Sequence, residues 1–268
     1  MFLEAMNTGH KLIIGLVHLC PLPGTPFYTQ GDLQKSIDKA LYDAKALLDG
    51  GADGCLIQSV DRVYPNTDDT DYARVAGISV VTSKVRDLVG PEFIIGAQLM
   101  WNCITPSIAA CKAAGANFTR CSALVGSVDS SFGRIEANPL KVQEYIKKIN
   151  AQDVELLAEI SGYHHVGEYN KTALQQLASS AKTVGAKAVE VMAKDEAFNN
   201  QLVQDIKQAQ PLLPVILGGG TDLENCARRL SLADGALVGS CFENGNWGGN
   251  IDSNTVKQYV QKVRAIEK

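Results

Sequence analysis

The chain has 268 residues, 46% hydrophobic and 20% charged, with a formal net charge of −4 and a pI near 5.6. That length supports one large α/β domain or two small ones with a substantial core, and the composition excludes a disordered chain. The acidic balance excludes nucleic acid as a bulk electrostatic partner, no Lys/Arg run overturns that, and no apolar run is long enough for membrane insertion.

Eight apolar runs are read as strands, starting near Leu12, Gly54, Phe93, Phe118, Val154, Lys187, Pro214 and Asp234. They recur at roughly 32-residue intervals, the size of one βα unit. They are near-continuously hydrophobic, as strands become when helices cover a parallel sheet on its outer face. Between them lie helical patterns at Leu33–Leu48, Tyr72–Leu88, Leu140–Ile149, Thr172–Val184 and Thr255–Ile266. Gly51-Ala52, Gly115-Ala116 and Gly185-Ala186 each separate a helix from the next strand, where a C′ glycine belongs. Two connections are long: Cys20–Gly31 after the first strand and Val125–Asn138 after the fourth. The expectation is one α/β domain over residues 1–268, a single (β/α)8 TIM barrel with a phosphate-binding C-terminal face. A doubly wound open sheet is disfavoured, because the glycine-rich turns follow the last two strands rather than the first.

Those turns are Gly218-Gly219-Gly220-Thr221 and Gly239-Ser240. Glycine where a strand hands over to a helix lets backbone N–H groups approach an anion closely. Two such turns in succession match the loops that hold phosphate in many barrels, the alternative being tight turns and nothing more. Thr221 or Asp222 is placed to cap the short helix that runs to Leu230.

Four polar residues interrupt the strands and are the candidate catalytic groups. His18 ends the first strand and can serve as acid or base, or as a neutral prop for the Pro21–Pro26 loop. Arg120 sits in an otherwise apolar or small strand and needs a carboxylate, with Glu159 and Glu190 as the obvious partners. The set forms either an internal ion-pair network or a general base beside a cationic stabiliser. His164 and His165 make a poor metal signature, and Lys194, followed by Asp195 and Glu196, a poor Schiff-base candidate. Trp247 covers the mouth or anchors the last loop. No cofactor motif and no metal site is read.

Seven cysteines, at 20, 55, 103, 111, 121, 226 and 241, include no C-x-x-C pair, and the start MFLEAMNTGHK lacks the apolar core of a signal peptide. A reducing, cytoplasmic location is expected.

Val17-His18-Leu19-Cys20-Pro21-Leu22-Pro23-Gly24-Thr25-Pro26 resembles the opening signature of the BtpA/SgcQ family. Further matching motifs are Phe118-Thr119-Arg120, Ser131-Phe132-Gly133-Arg134-Ile135, the two glycine turns, and Asn250 with Asp252. The resemblance runs from Ile13 to about Val263 and implies a phosphate-binding type of TIM barrel. The family is named for a role in photosystem I biogenesis, and other members accompany sugar-utilisation genes. This chain departs from the pattern at Gln58-Ser59, at Gln98 to Cys103, and at Glu243, where relatives carry a lysine. The expected partner is a phosphorylated small molecule, with association into a homo-oligomer left open. Two functions are carried forward. One is an isomerase, epimerase or aldol-type enzyme acting on a phosphorylated carbohydrate or related metabolite; the other is a non-catalytic assembly or regulatory factor on a retired barrel.

Overall fold

The computed structural model describes residues 9–162 and 168–267. Among the described residues ten strands are formed: β1 (Leu12–His18), β2 (Gly54–Gln58), β3 (Ile94–Gln98), β4 (Phe118–Cys121), β5 (Ser127–Ser130), β6 (Gly133–Glu136), β7 (Glu155–Ser161), β8 (Ala186–Val191), β9 (Val215–Leu217) and β10 (Gly235–Val238). Eight of them close a parallel barrel in the order β1-β10-β9-β8-β7-β4-β3-β2, and β5 pairs antiparallel with β6 outside it. Closure is made by β1 against β10, with Leu12 opposite Gly235 and Gly15 opposite Val238. The fold is therefore a (β/α)8 TIM barrel. Each barrel strand begins within one residue of the start predicted from its apolar run.

The helices are α1 (Asp32–Gly50), α2 (Tyr72–Val89), α3 (Ile104–Ala114), α4 (Pro139–Lys148), α5 (Lys171–Thr183), α6 (Glu196–Ala209), α7 (Cys226–Leu230) and α8 (Ser253–Arg264). Their starts are set by short polar side chains. Asp71, Asn138, Asn170, Asp195 and Asp252 each accept a backbone N–H from the first turn, a bond worth roughly 1 kcal/mol per cap. Three of their ends follow the glycine rule: after α1, α3 and α5, Gly51 (φ +84°), Gly115 (φ +70°) and Gly185 (φ +94°) adopt the left-handed conformation that releases the chain into the next strand. Ile37, Ala40, Ala44 and Leu47 form the buried stripe of α1, and Val256, Tyr259, Val260 and Val263 that of α8. The two helices lie side by side, with Val256 packed over Gly50, so the last helix seals the first βα unit.

Side chains alternate between two cores. Ile13, Val17, Cys55, Ile57, Ile95 and Ala97 face the helices. Leu12, Ile14, Leu56, Ile94, Phe118, Leu157, Ala188, Ile216 and Leu237 fill the barrel interior, at least one from every barrel strand. With a period of two, continuing each inward series to the strand's C-terminal end determines which residues reach the mouth. The long connection after β4 forms the β5–β6 hairpin, with Ser127 opposite Glu136 and Ser130 opposite Gly133.

Candidate functional site

The inward series end on His18, Gln58 and Gln98 from β1 to β3, on Arg120, Glu159 and Glu190 from β4, β7 and β8, and on Gly218 and Gly239 just past β9 and β10. Six of these eight positions are polar and two have no side chain. Above them opens a cavity of about 960 Å3, lined by His18, Gln58, Arg120 and both glycine turns. The mouth is thus polar on one arc and bare backbone on the other.

Arg120 is brought together with both predicted carboxylates. Its Nε donates to Glu190 Oε2 at 2.5 Å and its Nη2 to Glu190 Oε1 at 2.7 Å, while Nη2 lies 2.8 Å from Glu159 Oε2. All three are buried. Burial disfavours the arginine's charge, but the two carboxylates outweigh it and raise its pKa. For Glu159, burial dominates and pushes the carboxyl upward, and Arg120 offsets this only in part. Two nearby glycines make the cluster fit. A Cβ at Gly218 would lie 1.9 Å from Glu190 Oε1, and one at Gly162 would lie 2.3 Å from Glu159 Oε1.

His18 stands apart from that cluster and has its own partner. Its Nδ1 donates to Glu243 Oε1 at 2.7 Å, both side chains being buried. The carboxylate fixes the tautomer and leaves Nε2 for the cavity. Glu243, which sequence reasoning treated as a lost lysine, is therefore the residue that positions the histidine. The signal that could have found it is only a carboxylate three residues past the last glycine turn. Trp247 lies over the mouth, its ring centroid 5.1 Å from that of His18, with 60% of its surface exposed.

The glycine turns divide their backbone groups unequally. The Gly218 N–H is taken by Val191 O at 2.9 Å, so this residue contributes space and not a donor. The N–H groups of Gly219, Gly220, Thr221 and Ser240 have no acceptor among the described residues. The Gly220 carbonyl is held from behind by Arg229 Nη1 and by Asn225 Nδ2 at 3.1 Å. Arg229 Nη2 also reaches Ala193 O at 2.9 Å, tying the end of β8 to the β9 turn. Asp222 takes the turn-capping role, accepting from Glu224 and Asn225, while the Thr221 hydroxyl accepts from Tyr259 at 2.8 Å. With α7 only five residues long, its dipole adds little at this turn.

A third wall comes from residues that sequence reasoning gave no ligand-binding role. Tyr64, Trp101 and Phe132 follow β2, β3 and β4, and all line the cavity. Their ring centroids are 5.2 Å (Tyr64 to Phe132), 5.4 Å (Trp101 to Phe132) and 6.2 Å (Tyr64 to Trp101) apart. The loops beneath are fixed by a buried ion pair. Arg74 donates to Asp61 Oδ2 from Nε (2.9 Å) and Nη2 (2.6 Å), and also to Ser59 Oγ and the Met100 carbonyl. Asp61 in turn accepts the Leu22 N–H at 2.9 Å.

Lys194 is exposed and does not line the cavity; Asp195 caps α6 and Glu196 pairs with Arg228. His164 and His165 lie outside the described residues. Among the described residues no group of three His, Cys, Asp or Glu side chains could hold a metal ion, and no helix is long and apolar enough to cross a membrane.

The chain belongs to the BtpA family, which it matches over residues 9–265. An uncharacterized protein of Archaeoglobus fulgidus is 30% identical over 256 residues, covering 95% of this chain and 99% of that one. The photosystem I biogenesis protein BtpA of Synechocystis is 27% identical over 258 residues, covering 95% and 88%. Among solved structures, N-(5'-phosphoribosyl)anthranilate isomerase from Pyrococcus furiosus superposes with a TM-score of 0.57 at 14% identity, covering 96% of this chain and all of the other. Tryptophan synthase from M. tuberculosis gives a TM-score of 0.64 at 13% identity, covering 98% and 97%. Likeness at these identities shows the shared barrel.

Proposed function

We propose that this protein binds a phosphorylated carbohydrate or related metabolite, with the phosphate on the turns at Gly219–Thr221 and Gly239–Ser240. We further propose that it performs acid–base chemistry on that ligand as an isomerase, epimerase or aldol-type enzyme. The observation that carries the reading is one open cavity holding both the unspent N–H groups of two neighbouring turns and a buried His18–Glu243 pair. Oriented N–H donors favour an anion without a cationic side chain. His18 Nε2 is the base that takes a proton from the substrate, and Glu243 stabilises the resulting imidazolium. Glu159 lies beneath the cavity against Arg120 and orients that side chain, so His18 Nε2 also returns the proton. Arg120, locked by Glu190, forms the cationic floor against which negative charge on a carbonyl oxygen develops. A non-catalytic factor on a retired barrel would be favoured by a plugged mouth, and the cavity here is open. The free cysteines suit the reducing conditions of the cytoplasm.

The test is calorimetric titration with sugar phosphates, together with proton exchange into bound ligand followed by NMR in deuterated water. Ser240 is exposed, so Ser240→Asp places a carboxylate at the turn without disturbing the core, and binding should vanish. His18→Asn should bind ligand and exchange no carbon-bound proton. Binding that survives Ser240→Asp and Gly239→Asp alike would make the turns structural only.

A further inference from the structure

The closed strand order places the two ends of the cavity opposite each other. Between β9 and β3 three strands intervene in either direction, and the same holds between β10 and β4. The glycine turns follow β9 and β10, whereas Trp101 follows β3 and Phe132 sits at the tip of the hairpin after β4. Across the mouth from the bare N–H groups there is thus an aromatic wall, completed by Tyr64 after β2. Phe132 and Tyr64 are half-buried, so their rings complete the wall while remaining open to the cavity. Gln58 lines the cavity below, its Nε2 bonded to Gln98 Oε1 at 2.6 Å, and offers an amide edge at the foot of this wall. A phosphorylated triose or pentose alone leaves that half unfilled, because a cavity of about 960 Å3 is of the size that encloses a drug-sized ligand.

Resting on the phosphate reading above, we infer that the ligand is bipartite: a sugar phosphate bearing a planar heteroaromatic ring, as in a nucleoside monophosphate or related N-glycoside. The phosphate sits on the Gly219–Thr221 and Gly239–Ser240 turns, the sugar lies over His18 and Arg120, and the ring packs on Phe132 and Tyr64 beside the Gln58 amide. An aromatic wall recognises a π-face without demanding one base, and the amide supplies a hydrogen bond to a ring heteroatom.

The experiment is calorimetric titration of the full chain with inorganic phosphate, ribose 5-phosphate, adenosine 5′-monophosphate and uridine 5′-monophosphate. At least one nucleotide should bind about tenfold or more tightly than ribose 5-phosphate, the usual gain from one stacked base. Phe132→Leu keeps the apolar bulk at an exposed hairpin tip and removes the π-face. It should erase most of that gain while leaving the ribose 5-phosphate affinity in place. Ser240→Asp should abolish binding of all four probes. Equal affinity for nucleotides and ribose 5-phosphate, all lost in Ser240→Asp, would overturn the aromatic subsite and leave the phosphate reading standing. So would a nucleotide preference unchanged in Phe132→Leu. Failure of all four probes to bind would overturn the phosphate reading and this inference with it.

Discussion

Gly218→Ala is the sharpest test of how the polar floor is assembled. Gly218 has no positive φ, so its backbone accepts alanine, and on entropy alone the change would stabilise by about 0.4–1 kcal/mol. The added Cβ would however sit 1.9 Å from Glu190 Oε1 and 2.8 Å from its Cδ. No rotation of a methyl relieves that, so the carboxylate must leave its place against Arg120. With it go two charge-assisted bonds of 2.5 and 2.7 Å in a buried setting, and disrupting a buried pair costs about 3–5 kcal/mol. At about 2 °C per kcal/mol for a chain of this size, Tm should fall by roughly 6–10 °C in thermal unfolding. The cause is isolated by a double-mutant cycle with Glu190→Ala, in which most of the Gly218→Ala cost should disappear, a coupling of about 3 kcal/mol or more. A Tm within about 2 °C of wild type, or strict additivity in the cycle, would show that the carboxylate does not depend on that space.

Glu159→Gln should change how stability depends on pH. Burial lifts the Glu159 carboxyl above its ordinary value of 4.5, so the folded protein keeps a proton the unfolded chain has released, and this contribution is lost as pH rises from 4.5 through the folded value. The amide is neutral throughout, so the variant should gain Tm relative to wild type as pH rises above about 4.5, and a constant offset from about pH 4 to about pH 9 would refute this. Arg74→Met strands the buried Asp61 carboxylate and should lower stability by about 3–5 kcal/mol in urea unfolding, whereas a loss under about 1 kcal/mol would mean the pair is not holding the β2 and β3 loops. In 15N NMR, His18 should carry its proton on Nδ1 when neutral, and Glu243→Leu should abolish that preference; an unchanged tautomer would remove Glu243 from its positioning role.

The barrel was legible because its outer face is periodic and its punctuation is local. Apolar runs located every barrel strand start to within one residue, and the three Gly-Ala pairs marked helix ends without reference to anything distant. The β5–β6 hairpin was not legible, since only Val128 and Ile135 among its strand residues are buried, too few to form an alternating pattern. Arg120, Glu159 and Glu190 stood out as charges within apolar strands, and the parity of the inward series brings them together. The Glu243 and aromatic contributions were hidden for the opposite reason. Each lies on a different loop, and 225 residues separate His18 from its carboxylate, so no spacing along the chain connects them. Gly218 read as a turn glycine and Gly162 carried no reading, because their packing role depends on where a carboxylate three residues or a whole βα unit away comes to rest.

The floor of this cavity is costly by stability standards. An arginine held between two carboxylates, one of them raised by burial, sits directly above a ring of Leu, Ile and Phe that would accept more of the same. Replacing a buried ionic cluster by apolar side chains of similar volume is commonly neutral or stabilising by about 1–4 kcal/mol. The His18–Glu243 pair adds a third buried carboxylate, whose Oε2 finds no hydrogen-bond partner among the described residues. Neither cluster is needed to close the barrel, since the eight parallel pairings and the apolar layers beneath them do that. Local rules broken at one end of a fold, next to an open cavity, are what the proposed acid–base role would require of this site. Its unspent N–H groups and aromatic wall determine what that site can hold.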